Sequence, residues 1–264
     1  MATCAKCPDV PPLLQLLHLD PWLVAVYKPA GLLVHRTPLA RRDEYFALQL
    51  VRDQLGGAHV YPVHRLDRGT SGLLLLARDP DTARRVGLQF ESHGVAKRYL
   101  AFVRGWTAAA GSVDHALSRI DEDRPDTSRG VSQEPQSALT HYQRLGRIER
   151  PVALGPHPSS RYALLGLSPE TGRQHQIRRH LKHISHPIIG DATYGKGLHN
   201  RWWAEQLGLQ RLWLHALEMR LQHPQGGQPL TLRAEPGIDW QQLQAQPGWA
   251  WDAPAQDGWL PSVG

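Results

Sequence analysis

The sequence predicts an α+β fold built on a largely antiparallel sheet. Three observations carry that expectation. Segments with strand character outnumber helical ones. The two kinds do not alternate regularly, as a chain of parallel βαβ units would require. No internal repeat, coiled-coil heptad, Rossmann glycine pattern or P-loop interrupts them.

Residues 1–18 form a small, Pro-containing lead-in expected to be flexible, 19–245 a single domain, and 246–264 a Trp-rich tail. Leu23–Tyr27 is apolar and β-branched, so it reads as a strand. Pro29-Ala30-Gly31 is a turn that returns the chain into Leu32–Val34. Asp43 to Asp53 carries apolar Phe46, Leu48, Leu50 and Val51, reads as a helix and stops at Gly56-Gly57. Tyr61–Val63 and Leu73–Ala77 are strands flanking a polar loop. Asp81 to Glu91 is an amphipathic helix with Ala83, Val86, Leu88 and Phe90 facing inward. Tyr99–Val103 alternates as a strand. Between Thr107 and Pro135 the composition turns small and charged, which predicts a solvated loop. Ser137–Leu145 and Arg161–Leu167 are strands separated by the Pro-rich loop from Pro151 to Ser160. Gln174–His183 is helical. Leu212–Leu221 and Leu230–Ala234 are late strands, followed by a short helix near Asp239–Ala245.

The 264 residues suffice for a large core. No run approaches the roughly 18–20 apolar residues of a membrane span, and no basic-then-apolar leader opens the chain, so a cytoplasmic, membrane-free protein is expected. The only cysteines, Cys4 and Cys7, supply two ligands where a structural zinc site needs four; a frayed, reduced tail is the simpler reading. Thirty basic residues against 24 acidic give a net charge of +6, which suits a polyanionic partner. The distribution says more. From Thr171 to Lys182 there are three arginines, a lysine, two histidines and no acid, a candidate phosphate-contacting surface. His175, His180, His183 and His186 fall close together, but no HExxH pattern and few nearby acids accompany them, so no metal site is expected.

The most informative stretch is His64-Arg65-Leu66-Asp67-Arg68-Gly69-Thr70-Ser71-Gly72-Leu73. It brackets one carboxylate with two arginines, beside a Gly/Thr/Ser turn and a buried strand. Such an acid can serve as nucleophile or base; the rival reading is an Asp that caps a turn between two solvated arginines.

This stretch resembles the catalytic motif of the RluA-type pseudouridine synthases, in which the aspartate is essential. Val26-Tyr27-Lys28-Pro29-Ala30-Gly31-Leu32-Leu33-Val34-His35 is similar to the family's upstream element, although Tyr27 stands where Asn is usual. Lys97-Arg98-Tyr99-Leu100-Ala101, Leu167 through Leu181, His186 through Asp191, and Leu214-His215-Ala216 follow in the family's order. Six ordered matches between about residue 20 and residue 235 make the resemblance specific. It implies the pseudouridine synthase fold: a long, bent, mixed but largely antiparallel sheet flanked by helices, with an active-site cleft across it. With the first element about twenty residues in, an N-terminal S4 RNA-binding module has no room.

The implied reaction breaks the N1–C1′ bond of a uridine, turns the uracil and joins C5 to C1′. It needs no cofactor or metal. It needs a base out of its stack, a carboxylate at the sugar, a platform for the detached base, and exclusion of water. The resemblance assigns the carboxylate to Asp67, as nucleophile or as initiator of a glycal route. It assigns the paired cation to Arg178, with phosphate binding on an exposed helix face as the rival. It assigns the base platform and C5 chemistry to Tyr99, with an ordinary core aromatic as the rival. Arg65 is expected to fill the gap left by the flipped base or to contact phosphate. Lys28 and Arg173 are candidates for RNA phosphates or loop anchoring, and Arg179 and Lys182 for phosphates. His64 is expected to be a hydrogen-bonded structural residue, Thr70, Ser71 and Gly72 to shape the loop, and Asp191 to serve a turn or cap.

Within the family, three runs resemble members acting on uridine 65 of tRNA rather than those acting on ribosomal RNA: His35-Arg36 with Arg41-Arg42-Asp43-Glu44, Ala138 through Tyr142, and His180 through Asp191. RNA, tRNA before ribosomal RNA, is the expected partner of a monomeric enzyme. A non-catalytic RNA-binding protein of the same fold is the rival class; the joint presence of Asp67, Tyr99 and Arg178 argues against it.

Overall fold

A computed structural model describes residues 12–36, 44–120, 134–253 and 258–260. Cys4, Cys7, Arg41, Arg42 and Asp43 lie outside them. Among the described residues, eleven strands form one open, mixed sheet. In chain order they are β1 (Leu16–Leu19), β2 (Leu23–Lys28), β3 (Tyr61–Pro62), β4 (Ser71–Ala77), β5 (Ala96–Arg104), β6 (Ala110–Asp114), β7 (Leu139–Arg150), β8 (Ser160–Pro169), β9 (Leu214–Gln222), β10 (Pro229–Arg233) and β11 (Ala250–Trp251). The main path runs β1-β2-β4-β9-β5-β8-β7-β11, with β3 beside β4, β6 beside β7 and β10 beside β9. Every pairing is antiparallel except a short parallel one, Ser71 and Gly72 of β4 against His215 and Ala216 of β9. The helices are α1 (Ala47–Gln54), α2 (Pro80–Glu91), α3 (Gln176–His183), α4 (Gly197–Leu207) and α5 (Ile238–Gln244).

Strand β4 explains why the sheet holds. All seven of its residues are buried, so it reads as a continuous apolar run, the signature of a strand covered on both faces. Successive side chains point to opposite faces. Leu74 and Leu76 join Val24 and Val26 in a core capped by Ala47, Leu50 and Val51 of α1. Leu73 and Leu75 join Leu23 and Ala25 in a second core over which α2 lays Val86. A third core, rich in Trp, gathers β5, β8 and β9 under α3, α4 and α5.

Several expectations need correction. Leu16, Leu17 and His18, assigned to the flexible lead-in, belong to β1, and Leu14 ahead of them is buried. Leu88 does not face inward but is 50% exposed, and Thr82 with Val86 carries the buried face of α2. Strand β6 lies in the segment read as loop, where only Val113 of five small residues is buried. Helix α4 escapes a periodicity reading because its buried residues are only His199 and Trp203. The tail is not separate from the domain: β11 pairs with β7, and Arg98 sits 3.7 Å over the buried Trp259 ring. Among the described residues no helix is long and apolar enough to cross a membrane.

The β1–β2 turn depends on Asp20. Its Oδ1 accepts the Trp22 and Leu23 N–H groups at 2.7 Å, and its Oδ2 lies 2.6 Å from His18 Nε2 and 3.0 Å from His223 Nε2. Burial alone would push the carboxyl up, but these bonds hold it at about 2, below its ordinary 3.8. A depressed carboxyl adds stability above the unfolded value and loses it as pH falls toward the folded one. Asp20→Asn is therefore expected to cost about 1 kcal/mol at pH 7 after solvent screening. Its acid unfolding should be flatter between about pH 4 and 2 than that of the wild type; parallel urea titrations would show this, and an unchanged slope would refute it.

Candidate active site

Three elements bring the site together. The Asp67 loop enters β4, Tyr99 stands on β5, and Arg178 stands on α3. The loop is clasped from below. Lys28 Nζ donates to the carbonyls of Pro29, Leu32 and Arg68 at 3.0, 2.7 and 3.1 Å. The Gly31 N–H donates to the Arg68 carbonyl, and Arg68 Nε returns a bond to the Gly31 carbonyl. Gly72 has φ +107°, and a Cβ there would fall on the backbone of Ala216; a side chain at 72 would break the parallel seam from which the loop springs. Buried Ser71 tightens the seam, its Oγ 2.8 Å from His215 Nδ1 and accepting from Arg211 Nη2 at 2.6 Å.

At the loop's tip Asp67 meets α3. Arg178 Nη1 donates to Asp67 Oδ2 at 3.0 Å. The rest of the guanidinium is held by Asp191, with Nε to Oδ2 at 2.7 Å and Nη2 to Oδ1 at 3.0 Å. Asp191 in turn accepts the Thr193 and Tyr194 N–H groups, both at 2.9 Å. The bidentate fork fixes the plane of the guanidinium, so its remaining edge can point only where Asp67 lies. Burial alone would push the Asp191 carboxyl up, but Arg178 and the two backbone N–H groups hold it down. Arg178 is itself raised above its ordinary value, its two carboxylate partners outweighing burial.

His175 Nε2 lies 3.8 Å from Asp67 Oδ1, beyond hydrogen-bond length, while its Nδ1 is 3.1 Å from the Tyr194 hydroxyl. His175 has φ +52° at the start of α3. The turn before it is stitched down by Gln176, whose Oε1 accepts from the Arg173 N–H and the Thr171 hydroxyl and whose Nε2 donates to the Leu139 carbonyl and Thr140 Oγ1.

Two hollows share the wall made by Arg65, Leu66, Asp67, His175 and Arg178. The smaller, of about 180 Å³, is lined further by Tyr99, Lys97, Thr70, Ile177 and Leu214, room for about six waters by liquid volume and suited to one pyrimidine ring. The larger, of about 740 Å³, opens on the other side of Asp67 toward Pro29–Gly31, Asp191 and Arg211. The register of β5 against β9 shifts between Arg98 and Tyr99, a bulge of the kind that re-aims a side chain. Burial, then the Asp67 charge, raises the Tyr99 phenol, so it carries its proton at neutral pH.

A family model described as RNA pseudouridylate synthase matches residues 22–183. The chain belongs to that family. Among curated relatives, tRNA pseudouridine synthase C of Yersinia pestis is 47% identical over 242 residues, covering 92% of this chain and 94% of its own. The protein of that name from Vibrio cholerae serotype O1 is 45% identical over 239 residues, covering 90% and 97%. Among solved structures, Human RNA Pseudouridylate Synthase Domain Containing 4 superposes with a TM-score of 0.64 at 28% identity, covering 87% of this chain and 93% of its own. This pseudouridine synthase is thus an isomerase of the RluA type.

The structure of this synthase brings Asp67, Tyr99, Arg178 and Arg65 to one wall pair. It separates others. Lys28 is fully buried and spends its three N–H groups on backbone carbonyls, so it anchors the loop and does not reach RNA; burial pushes it down to about 7. Arg173 and Arg179 are half-buried, donating to the carbonyls of Ser137 and Ser118, while Lys182 is exposed beside the Tyr194 ring. His64 Nε2 accepts the Leu75 N–H and its ring stacks on Phe90; burial pushes it down to about 4, which suits a structural role. The histidines of 175–186 diverge: His180 toward Thr140 and the His115 carbonyl, His183 onto the His115 ring, His186 toward the Arg104 carbonyl. Asp191 is more than the expected turn residue, because it also orients Arg178. Its motif was visible, but nothing in the spacing tied it to Asp67. His175 and Tyr194 were missed, and Tyr194 carried no signal.

Proposed function

We propose that this enzyme converts uridine 65 of tRNA to pseudouridine with Asp67 as the reacting carboxylate. The observation carrying the chemistry is that Asp67, 19% exposed, is held by Arg178 at the wall of a pyrimidine-sized hollow. The names of the relatives favour tRNA. Asp67 attacks C1′ or starts a glycal route while the N1–C1′ bond breaks. The freed uracil turns within the Tyr99 hollow, and C5 joins C1′. One proton must leave C5 and one must reach N1. A neutral Tyr99 phenol can give its hydrogen to the detached ring and take the C5 hydrogen back, so the count closes. Arg65, at the rim, fills the space the uridine leaves, and exposed Lys182 meets phosphate.

Carbodiimide labelling and primer extension on RNA from a strain lacking the gene tests the target. Loss of a single stop at tRNA position 65 is expected, restored by the wild-type gene. Loss confined to ribosomal RNA, or no loss, would overturn the assignment. Tyr99→Phe should lower kcat by about 10²-fold and leave KM within a factor of about 3. Equal effects on both would reduce Tyr99 to a stacking surface.

A further inference from the structure

The larger hollow is left unused by the chemistry above, although it shares Asp67 with the smaller one. We infer that it is a subsite for the nucleotide adjoining the target uridine, which enters unstacked along with it. The inference rests on the proposed function and concerns what else the enzyme must grip. A sugar whose C1′ faces Asp67 from the small hollow must leave the site along the chain, and the shared wall of Arg65, Asp67 and Arg178 opens directly into the 740 Å³ space. That space has the makings of a base site. Tyr27 contributes an aromatic ring, half-buried against the sheet, and Leu33, Val34 and Leu212 contribute apolar wall. Unstacked bases are held in this way, by an aromatic face and an apolar bed. Gln210, exposed at the mouth, carries a carboxamide that can both donate to and accept from a base edge. Arg65 brings positive charge to the wall between the hollows and Arg68 to the lining of the larger one, where the linking phosphate would pass. The Asp191 side is rigid as well: Gly190 has φ +78°, and a Cβ there would fall on the Arg211 carbonyl, so the two loops that frame the hollow touch backbone to backbone.

The test uses the full-length protein and a tRNA transcript whose modified uridine has been mapped, assembled with an abasic residue on either side of that uridine. For the wild type, one of the two abasic RNAs should show KM raised about 10-fold or more, with kcat within a factor of about 3. Ala192→Trp, at an exposed position lining the hollow, should raise KM for intact RNA by a similar factor and respond no further to the abasic change. Gln210→Ala should keep the abasic effect but lose discrimination among bases at that position. If wild type isomerises both abasic RNAs with the KM of intact RNA, or Ala192→Trp with an unchanged melting curve still loses the full factor, the subsite is refuted. Failure of the wild type to isomerise intact tRNA would instead refute the proposed function.

Discussion

Asp67→Asn is expected to fold, to bind RNA and to form no pseudouridine, a loss of at least about 10⁴-fold in kcat. Asparagine keeps the size of aspartate and an oxygen that can still accept from Arg178 Nη1, 3.0 Å away in the wild type. What it lacks is the charge and the electron pair that must engage the sugar. The loop around it is anchored elsewhere, by the three bonds from Lys28 and the Gly31–Arg68 exchange. The melting temperature should accordingly move little, and RNA affinity should stay within a factor of about 3. Single-turnover measurement of tritium released from C5-labelled RNA reads the chemistry directly. Turnover within about 10-fold of wild type, in protein freed of deamidation to aspartate, would remove Asp67 from its assigned role.

The parts of this molecule legible in sequence are those whose signal is local. Leu73 to Ala77 announces a two-sided buried strand by being apolar throughout, and the seven buried residues of β4 agree. The Asp67 loop is legible because its arginines and glycines are contiguous. Illegible parts depend on partners distant in the chain. Lys28 reads equally as a phosphate contact or a loop anchor until the carbonyls of Leu32 and Arg68 are seen around its ammonium. Leu88 stands two residues after Val86, about 200° round the helix, so the helical period itself turns it away from the buried face, and it is 50% exposed. Strands β1 and β11 have little strand character of their own and owe their form to β2 and β7. Asp191 shows the limit most clearly. A Gly-Asp pair is an ordinary turn signal, and Asp191 does serve a turn, but only the packing of α3 reveals that the same carboxylate steers Arg178.

Arg178→Gln should cost about 3–5 kcal/mol of stability, the range for breaking a buried ion pair from one side. The variant leaves Asp191, 2% exposed, with two backbone N–H groups and no cation. In the wild type the Asp191 carboxyl is held below its ordinary value, the arginine and backbone bonds prevailing over burial. Stability from such a group is present above the unfolded value and is lost as pH falls through the folded one. Without Arg178 burial prevails, the carboxyl rises above its unfolded value, and stability is lost as pH climbs past that point. The two curves must therefore converge on acidification, and urea unfolding should show the gap shrinking between about pH 7 and 4. A gap constant across that window would mean that Arg178 contributes packing rather than charge. Asp191→Asn in the Arg178→Gln background should recover stability, since an amide needs no counter-ion, while kcat stays depressed because the Arg178 Nη1 bond to Asp67 is still missing. Recovery of the fold without recovery of turnover would separate the two duties of this guanidinium, holding α3 and holding the reacting acid.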